Sequence, residues 1–466
     1  MGAPFPLDRV DDLLGEGIER AVRAHHRRRL TRHGHARAFD PPAGGWAESG
    51  AFAPRDGVHA ELLVDGATLL PRMVDDIGRA RSHVHVAGWH FTPTFRMGEG
   101  GPTLRGLLAD TASRVDVRVL VWAGAPLPLF KPDRRDVRGM REELVVGTRV
   151  EMELDAKERP MHCHHEKLVI VDDRVAYVGG LDLTTLAGNR LDSSDHPPRF
   201  GLGWHDACLR LEGPLVADVA EHFRLRWPHP LPAAEPPASA GALQAQLVRT
   251  VPEHVYDGLW EGEFTILESY RRALRSAETF VYLESQFLWS PELIEILTAK
   301  LRDPPRPDFR VVALLPARPN NGSDDTRGQL GLLVDAAADG GDRERFLACT
   351  LFQPRGNSVY VHAKVCVVDD AWVTVGSANL NEHSLFNDTE VNVVLHDESF
   401  ARSARLALWA EHLEGDADGE PASVIDELWR PRANEGSPEH KLRLLRGVSR
   451  RTRALWGPLN GLLVDG

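Results

Sequence analysis

One segment of the chain occurs twice. MHCHHEKLVIVDDRVAYVGGLDLT, around residue 165, is echoed by YVHAKVCVVDDAWVTVGSANLN around residue 362, and His165, Lys167, Asp172 and Gly179 align with His362, Lys364, Asp369 and Gly376 at a constant offset of 197. Self-similarity at a fixed period reports two copies of one supersecondary unit. The same offset aligns HVHVAGWHF (83–91) with FVYLESQFL (280–288), and it slips to 192 for VDVRVLVW (115–122) against PDFRVVAL (307–314). Loops have changed length while the strands kept their order. Each copy reads as a helix, a strand, a helix, a second strand and then a hairpin that carries the repeated motif. The helices are LLPRMVDDIGRARS and TILESYRRALRSAE, both with apolar residues near a 3.6 period. Strands alternating with helices predict an α/β fold, a mostly parallel or mixed sheet between helical layers, built twice.

A chain of 466 residues suits two domains rather than one core. The Pro/Ala-rich stretch WPHPLPAAEPPASAGA (227–242) predicts an extended connection between the copies. The expected division is an N-terminal helical extension over 1–50, a first domain over 51–235, a second over 236–415 and a C-terminal extension over 416–466, in which SVIDELWRPR reads as a surface helix. With 42% hydrophobic and 26% charged residues the chain has a soluble globular composition. It holds no apolar run of the ~18 residues a membrane span needs, and its opening residues lack the pattern of a secretory signal. Four scattered cysteines show neither zinc-site spacing nor a disulfide framework. These features predict a cytoplasmic protein. A formal net charge of −13 disfavours nucleic acid as the main partner. Local basic stretches stand at Arg23–Arg32 and Arg443–Arg453; the first reads either as a helix lying on anionic lipid heads or as a solvated charged helix.

In HEKLVIVD and HAKVCVVD, strand alternation puts His165 and Lys167 on one face, and His362 and Lys364 likewise. Asp172 and Asp369 fall on the opposite face, at turns, where they are expected to hold the hairpin or to pair with the other half. Two histidines and two lysines suit attack on a phosphodiester, which needs a nucleophile, a proton donor for the leaving oxygen and positive charge around the non-bridging oxygens. In GGLD and GSAN, Gly180 allows close backbone approach, while Ser377 and Asn379 can donate to phosphate oxygens. Asp182 takes the place of Asn379 in the first copy, so the two halves are expected to differ in function. His162, Cys163, His164 and His165 could be read as a transition-metal cluster, but neighbours on a strand point to opposite faces, and neither metal nor cofactor is expected. His164 is expected at the rim or in solvent, His205 as a pocket residue or a structural one. Trp289 follows a strand that should end at the cleft.

H-x-K-x4-D followed by a Gly-Gly/Ser element, twice in one chain, is similar to the phospholipase D superfamily, over roughly residues 60–410. The resemblance implies two α/β/α sandwich domains related by a pseudo-two-fold duplication around one cleft. It implies a catalytic set of His165, Lys167, Asp172, His362, Lys364 and Asp369, a covalent phosphohistidine intermediate and no required metal, with His165 as nucleophile and His362 as general acid. Order in the chain and the resemblance together suggest Glu390 as the acceptor that orients His362 and Asp206 as the one that orients His165. GWHD with EGP, and LESQF, resemble the lipid-hydrolysing branch. The implied activity is a phosphodiesterase or phosphatidyltransferase acting on a phospholipid at a membrane surface, with water or an alcohol as acceptor, peripheral membrane contact and no nucleic acid. The alternatives are a cardiolipin-synthase-like transferase, a nuclease of the same superfamily and a noncatalytic phosphate-binding scaffold; the intact pair of motifs argues against the last.

Overall fold

The computed structural model describes residues 6–159, 162–186, 203–319 and 323–449. Met161 of the first motif segment and Arg450, Arg451 and Arg453 of the second basic stretch lie outside the described residues, as does the part of the C-terminal extension after Ser449.

Two mixed sheets repeat one order of pairing. In the first, His83–Gly88, Asp116–Trp122 and Glu151–Asp155 run parallel. The hairpin Leu168–Val171 and Val175–Gly179 joins the other side of His83–Gly88, followed by Ala207–Glu212 and Arg55–Val64, all antiparallel. In the second, Phe280–Glu284, Arg310–Leu314 and Phe346–Phe352 run parallel, and the hairpin Val365–Val368 and Trp372–Gly376 leads to Glu390–His396 and Leu243–Val251. This common order fits a duplicated unit. The third parallel strand of each sheet is absent from the sequence reading. In the first half it is EMELD, an edge strand with Glu151 exposed and Glu153 half-buried, so its charged residues mask the strand pattern.

Alternation along the hairpins buries both faces. Leu168 and Ile170 face a central core, with Val365 and Val367 from the other half, while Val169 and Val171 face an outer core and Cys366 and Val368 face its counterpart. A strand buried on both faces must be apolar throughout, which is why LVIV and VCVV show no polar alternation. The central core also takes in Leu215–Arg226 and Glu398–Leu413, the helices that follow the last strands of each half. The outer cores are closed by Asp65–Gly78, Leu104–Ala112 and Arg134–Val145 on one side and by Thr265–Ser276 and Pro291–Arg302 on the other. Each half is therefore an α/β/α sandwich, and the two share their middle layer.

Both extensions are built into the second half. Leu30, Ala38, Phe39 and Ala47 belong to its outer core. SVIDELWRPR is not a surface helix: Ile425 and Trp429 are fully buried, with the Trp429 ring 5.7 Å from Tyr282 and 5.5 Å from Trp409. Leu442–Leu444 pairs with Phe346–Phe352. Among the described residues no helix is long and apolar enough to cross a membrane.

Candidate active site

The motif hairpins turn on Asp172-Asp173 and Asp369-Asp370, all four with φ between 50° and 56°. Two consecutive left-handed residues make the tight turn that a right-twisted hairpin accepts, and aspartate tolerates that conformation better than most residues. Each first aspartate then reaches back to the start of the neighbouring strand. Asp172 accepts from the N–H groups of Arg81, Ser82 and His83 at 2.9, 2.7 and 3.0 Å. Asp369 accepts from those of Glu278, Thr279 and Phe280 at 2.7, 2.8 and 2.9 Å. Partial burial would raise the Asp172 carboxyl, but the donated hydrogen bonds outweigh it and hold the group below its usual range. These aspartates clamp the hairpin and do not join the histidines, which corrects their place in the implied catalytic set.

His165–Lys167 and His362–Lys364 sit immediately before the hairpin strands, which begin only at Leu168 and Val365. What fixes these lead-in segments is the opposite half. The N–H groups of His165 and Glu166 donate to Thr389 O at 2.9 and 3.0 Å, and those of His362 and Ala363 donate to His205 O at 2.8 and 3.2 Å. Thr389 precedes Glu390, and His205 precedes Asp206. The carboxylates are thereby delivered crosswise: His165 Nδ1 lies 2.9 Å from Glu390 Oε1, and His362 Nδ1 lies 2.7 Å from Asp206 Oδ2. The expected pairing within each half is wrong. The cause is the exchange of backbone hydrogen bonds at the seam, visible also in the parallel pairing of Gly203–His205 with Ser358–Val361.

The pairs are packed around one charged spot. Lys167 Nζ donates to His165 O at 2.6 Å and lies 3.3 Å from Asp182, while Lys364 donates to His362 O. Burial, with the positive charges of Lys364, Lys167 and His165, holds the His362 imidazole well below its ordinary range. Burial also pulls the Lys364 ammonium down to about 8 and pushes the Glu390 carboxyl up to about 8. The Asp182 and Asp206 carboxyls are raised for the same reason.

Ser377 and Asn379 have partners within the protein, and Gly180 lies against Asp206. The Ser377 hydroxyl donates to Glu390 Oε2, and the Ser384 hydroxyl, which the sequence reading missed, donates to Oε1 at 2.6 Å. Asn379 Nδ2 faces Gln286 Oε1 at 3.4 Å. Gly180 is the first-half counterpart of Ser377, and a Cβ there would stand 2.1 Å from Asp206 Oδ1. Glycine thus makes room for one carboxylate where serine supports the other. Trp204 stacks on Tyr360 at 4.7 Å and stands 5.0 Å from the His362 ring.

The four consecutive residues 162–165 do not converge. His164 is buried, not at the rim, with Nε2 3.2 Å from Asp155 and Nδ1 2.9 Å from Thr389 Oγ1. His162 turns instead to His383, Nδ1 to Nδ1 at 3.2 Å, with Asp388 at 3.6 Å, a group of ligand-type atoms beside the histidine pair. His205 forms a second such group in the core, with Glu284 and His412. Trp289 is buried, its ring 6.5 Å from His383.

Residues 271–410 match the family model described as cardiolipin synthase, PLD-like domain. The chain is 24% identical over 471 residues to phospholipase D A of Dictyostelium discoideum, covering 78% of this chain and 36% of that protein. It is also 24% identical over 362 residues to the major cardiolipin synthase of Bacillus subtilis, covering 73% and 66%. It therefore spans about a third and about two thirds of these relatives. Among solved structures it resembles the phosphatidylserine synthase of Haemophilus influenzae Rd KW20 in fold, with a TM-score of 0.55 at 11% identity over 81% of this chain and 88% of that one. Paired histidine–lysine segments at the seam of two like sheets, a PLD-like domain match over 271–410 and relatives that are phospholipases D and cardiolipin synthases together support the phospholipase D superfamily as what this chain is similar to.

Proposed function

We propose that the chain transfers or hydrolyses the phosphatidyl group of a glycerophospholipid through a phosphohistidine on His165. The observation that carries this reading is the crossed pair of imidazole–carboxylate contacts, at 2.9 and 2.7 Å, with a lysine beside each. A carboxylate that accepts the Nδ1 proton leaves the Nε2 lone pair free and the ring fixed, the state a nucleophilic imidazole requires. Burial raises the Glu390 carboxyl, and the serine hydroxyls on both its oxygens, with the Lys167 charge, act against that rise and towards the ionised form that accepts from Nδ1.

In the first step His165 Nε2 forms a bond to phosphorus as the bond to the head-group oxygen breaks, and His362 gives that oxygen its proton. In the second, His362 takes the proton of water or an alcohol, whose oxygen displaces His165. Lys167 and Lys364 supply positive charge to the non-bridging oxygens. An acid must be protonated when the leaving group departs, and in the free site the ammonium groups oppose this for His362. A bound phosphodiester anion offsets that charge, so substrate binding raises the proton affinity of His362 where it is needed.

Vesicles of phosphatidylcholine or phosphatidylglycerol, incubated with the protein and a primary alcohol, test the reading. The expected products are the phosphatidyl alcohol and phosphatidic acid, because a covalent intermediate accepts either nucleophile. Absence of both from every lipid, with turnover of single-stranded DNA instead, would overturn the lipid assignment in favour of a nuclease.

A further inference from the structure

The C-terminal turns of the helix Pro6–Arg32 carry a cavity of about 190 Å³ lined by His25, Arg28, Arg29 and Arg32. At ~30 Å³ per water that is space for about six waters, enough for a phosphate group with its ester stubs. Every lining residue is basic, in a chain whose net charge is −13.

Part of this charge has an ordinary explanation, since cations at a helix C-terminus complement its dipole. That does not account for Arg29. Its side chain is only 8% exposed, it donates to Asn387 Oδ1 at 2.8 Å and to Phe386 O, and its Nε faces Glu253. The carboxylate beside it, Glu253 at 3.2 Å, is shared with Arg159 at 2.6 Å, so one anion faces two guanidinium groups. Among the described residues Arg28 and Arg32 have no carboxylate within 4.0 Å. A buried, under-compensated guanidinium behind two exposed unpaired ones is a concave receptor for an anion with several oxygens.

A chain of contacts connects the cavity to the candidate active site. Arg29 binds Phe386 and Asn387, His26 stacks on Phe386 at 4.3 Å, and the next residue, Asp388, accepts from the Cys163 N–H two residues before His165. We propose that this cavity holds the phosphate of an anionic glycerophospholipid, so that the helix seats the chain on the lipid surface beside its own reaction site. The choice of a lipid as the source of that phosphate rests on the function proposed above.

The test is sedimentation of the full chain with vesicles of phosphatidylcholine alone and with added phosphatidylglycerol, comparing the protein with its Arg28→Ala/Arg32→Ala and Arg28→Lys/Arg32→Lys variants. Removing two surface arginines is expected to weaken partition onto the anionic vesicles about thirtyfold, with an unchanged unfolding midpoint and no effect on the neutral vesicles. The lysine variant keeps the charge but loses the forked donors, and should fall between. Equal partition of the alanine variant overturns the proposal, and so does a lysine variant that binds like the parent, which would leave only a charged face. Inorganic phosphate that stabilises the parent but not the alanine variant, while vesicle binding is unaffected, overturns the lipid in favour of a soluble phosphate. Partition is read without turnover, so a chain that binds anionic vesicles and converts no lipid counts against the activity and not against this cavity.

Discussion

Glu390 holds His165 from the other half of the chain, Oε1 to Nδ1 at 2.9 Å, and Asp206 holds His362 in the reciprocal way at 2.7 Å. Neither half therefore contains a complete histidine–acceptor pair. Replacing either carboxylate by its amide, Glu390→Gln or Asp206→Asn, is expected to lower kcat about a hundredfold or more, because an amide can stabilise the wrong tautomer. The check is turnover of a p-nitrophenyl phosphodiester at matched folded concentration. Each half expressed alone should be inactive, and mixing a half carrying Glu390→Gln with a normal first half should not restore activity.

Asp172 and Asp369 make a contrasting case. Asp172→Ala or Asp369→Ala removes the acceptor of three backbone N–H groups and should cost about 1–3 kcal/mol of stability, with kcat per folded molecule within about twofold of the parent. The sign of the pH dependence follows for Asp172, whose folded value is depressed. Its stabilisation is fully present above the unfolded carboxyl value of ~3.9 and is lost as pH falls through the folded value. Urea unfolding should therefore show the gap between parent and Asp172→Ala at pH 7 and its closure well below pH 4. A gap that widened in acid would contradict the clamp.

Gly180 tests how closely the first half is built around Asp206. A methyl group there would stand 2.1 Å from Asp206 Oδ1, so Gly180→Ala must push the carboxylate off the His362 ring or shift the chain. Activity should fall at least tenfold, whereas Gly17→Ala, an exposed helical position with nothing within 4 Å, should raise stability by about 0.5–1 kcal/mol. Wild-type turnover in Gly180→Ala would mean that the Asp206 contact is dispensable.

The repeated spacing made the strand order and the two histidine–lysine segments legible, because both are local properties of the sequence. The placement of Asp172 and Asp369 at turns was legible for the same reason. The identity of each histidine's partner was not, since Glu390 and Asp206 each follow a motif hairpin and chain order alone favours pairing within a half. The hydrogen bonds of His165 to Thr389 O and of His362 to His205 O reveal the exchange. Ser384 escaped notice because it sits on the π-helical turn His383–Asn387, a local irregularity that no periodicity announces. His164 looked solvated because its partner Asp155 lies on the EMELD strand, itself concealed by its charges.

The two histidines should fail differently when removed, and this separates the roles proposed for them. His165→Ala and His362→Ala should both lose several orders of magnitude in turnover of a phospholipid, about 10³-fold or more. With a p-nitrophenyl phosphodiester the leaving group departs without a proton, so His362→Ala can still form the N–P bond at His165. It then lacks the base that activates water, and the intermediate should accumulate. Rapid quenching followed by peptide mass spectrometry should find an acid-labile, alkali-stable phosphoryl adduct on the MHCHHEK segment, and none in His165→Ala. The crossed acceptors extend the test: Glu390→Gln should slow the burst of p-nitrophenol, since it perturbs the nucleophile, while Asp206→Asn should leave the burst and slow the turnover that follows. An adduct on His362 instead would exchange the two assignments together with their acceptors, and no adduct in a variant whose parent turns over the same substrate would falsify the covalent route.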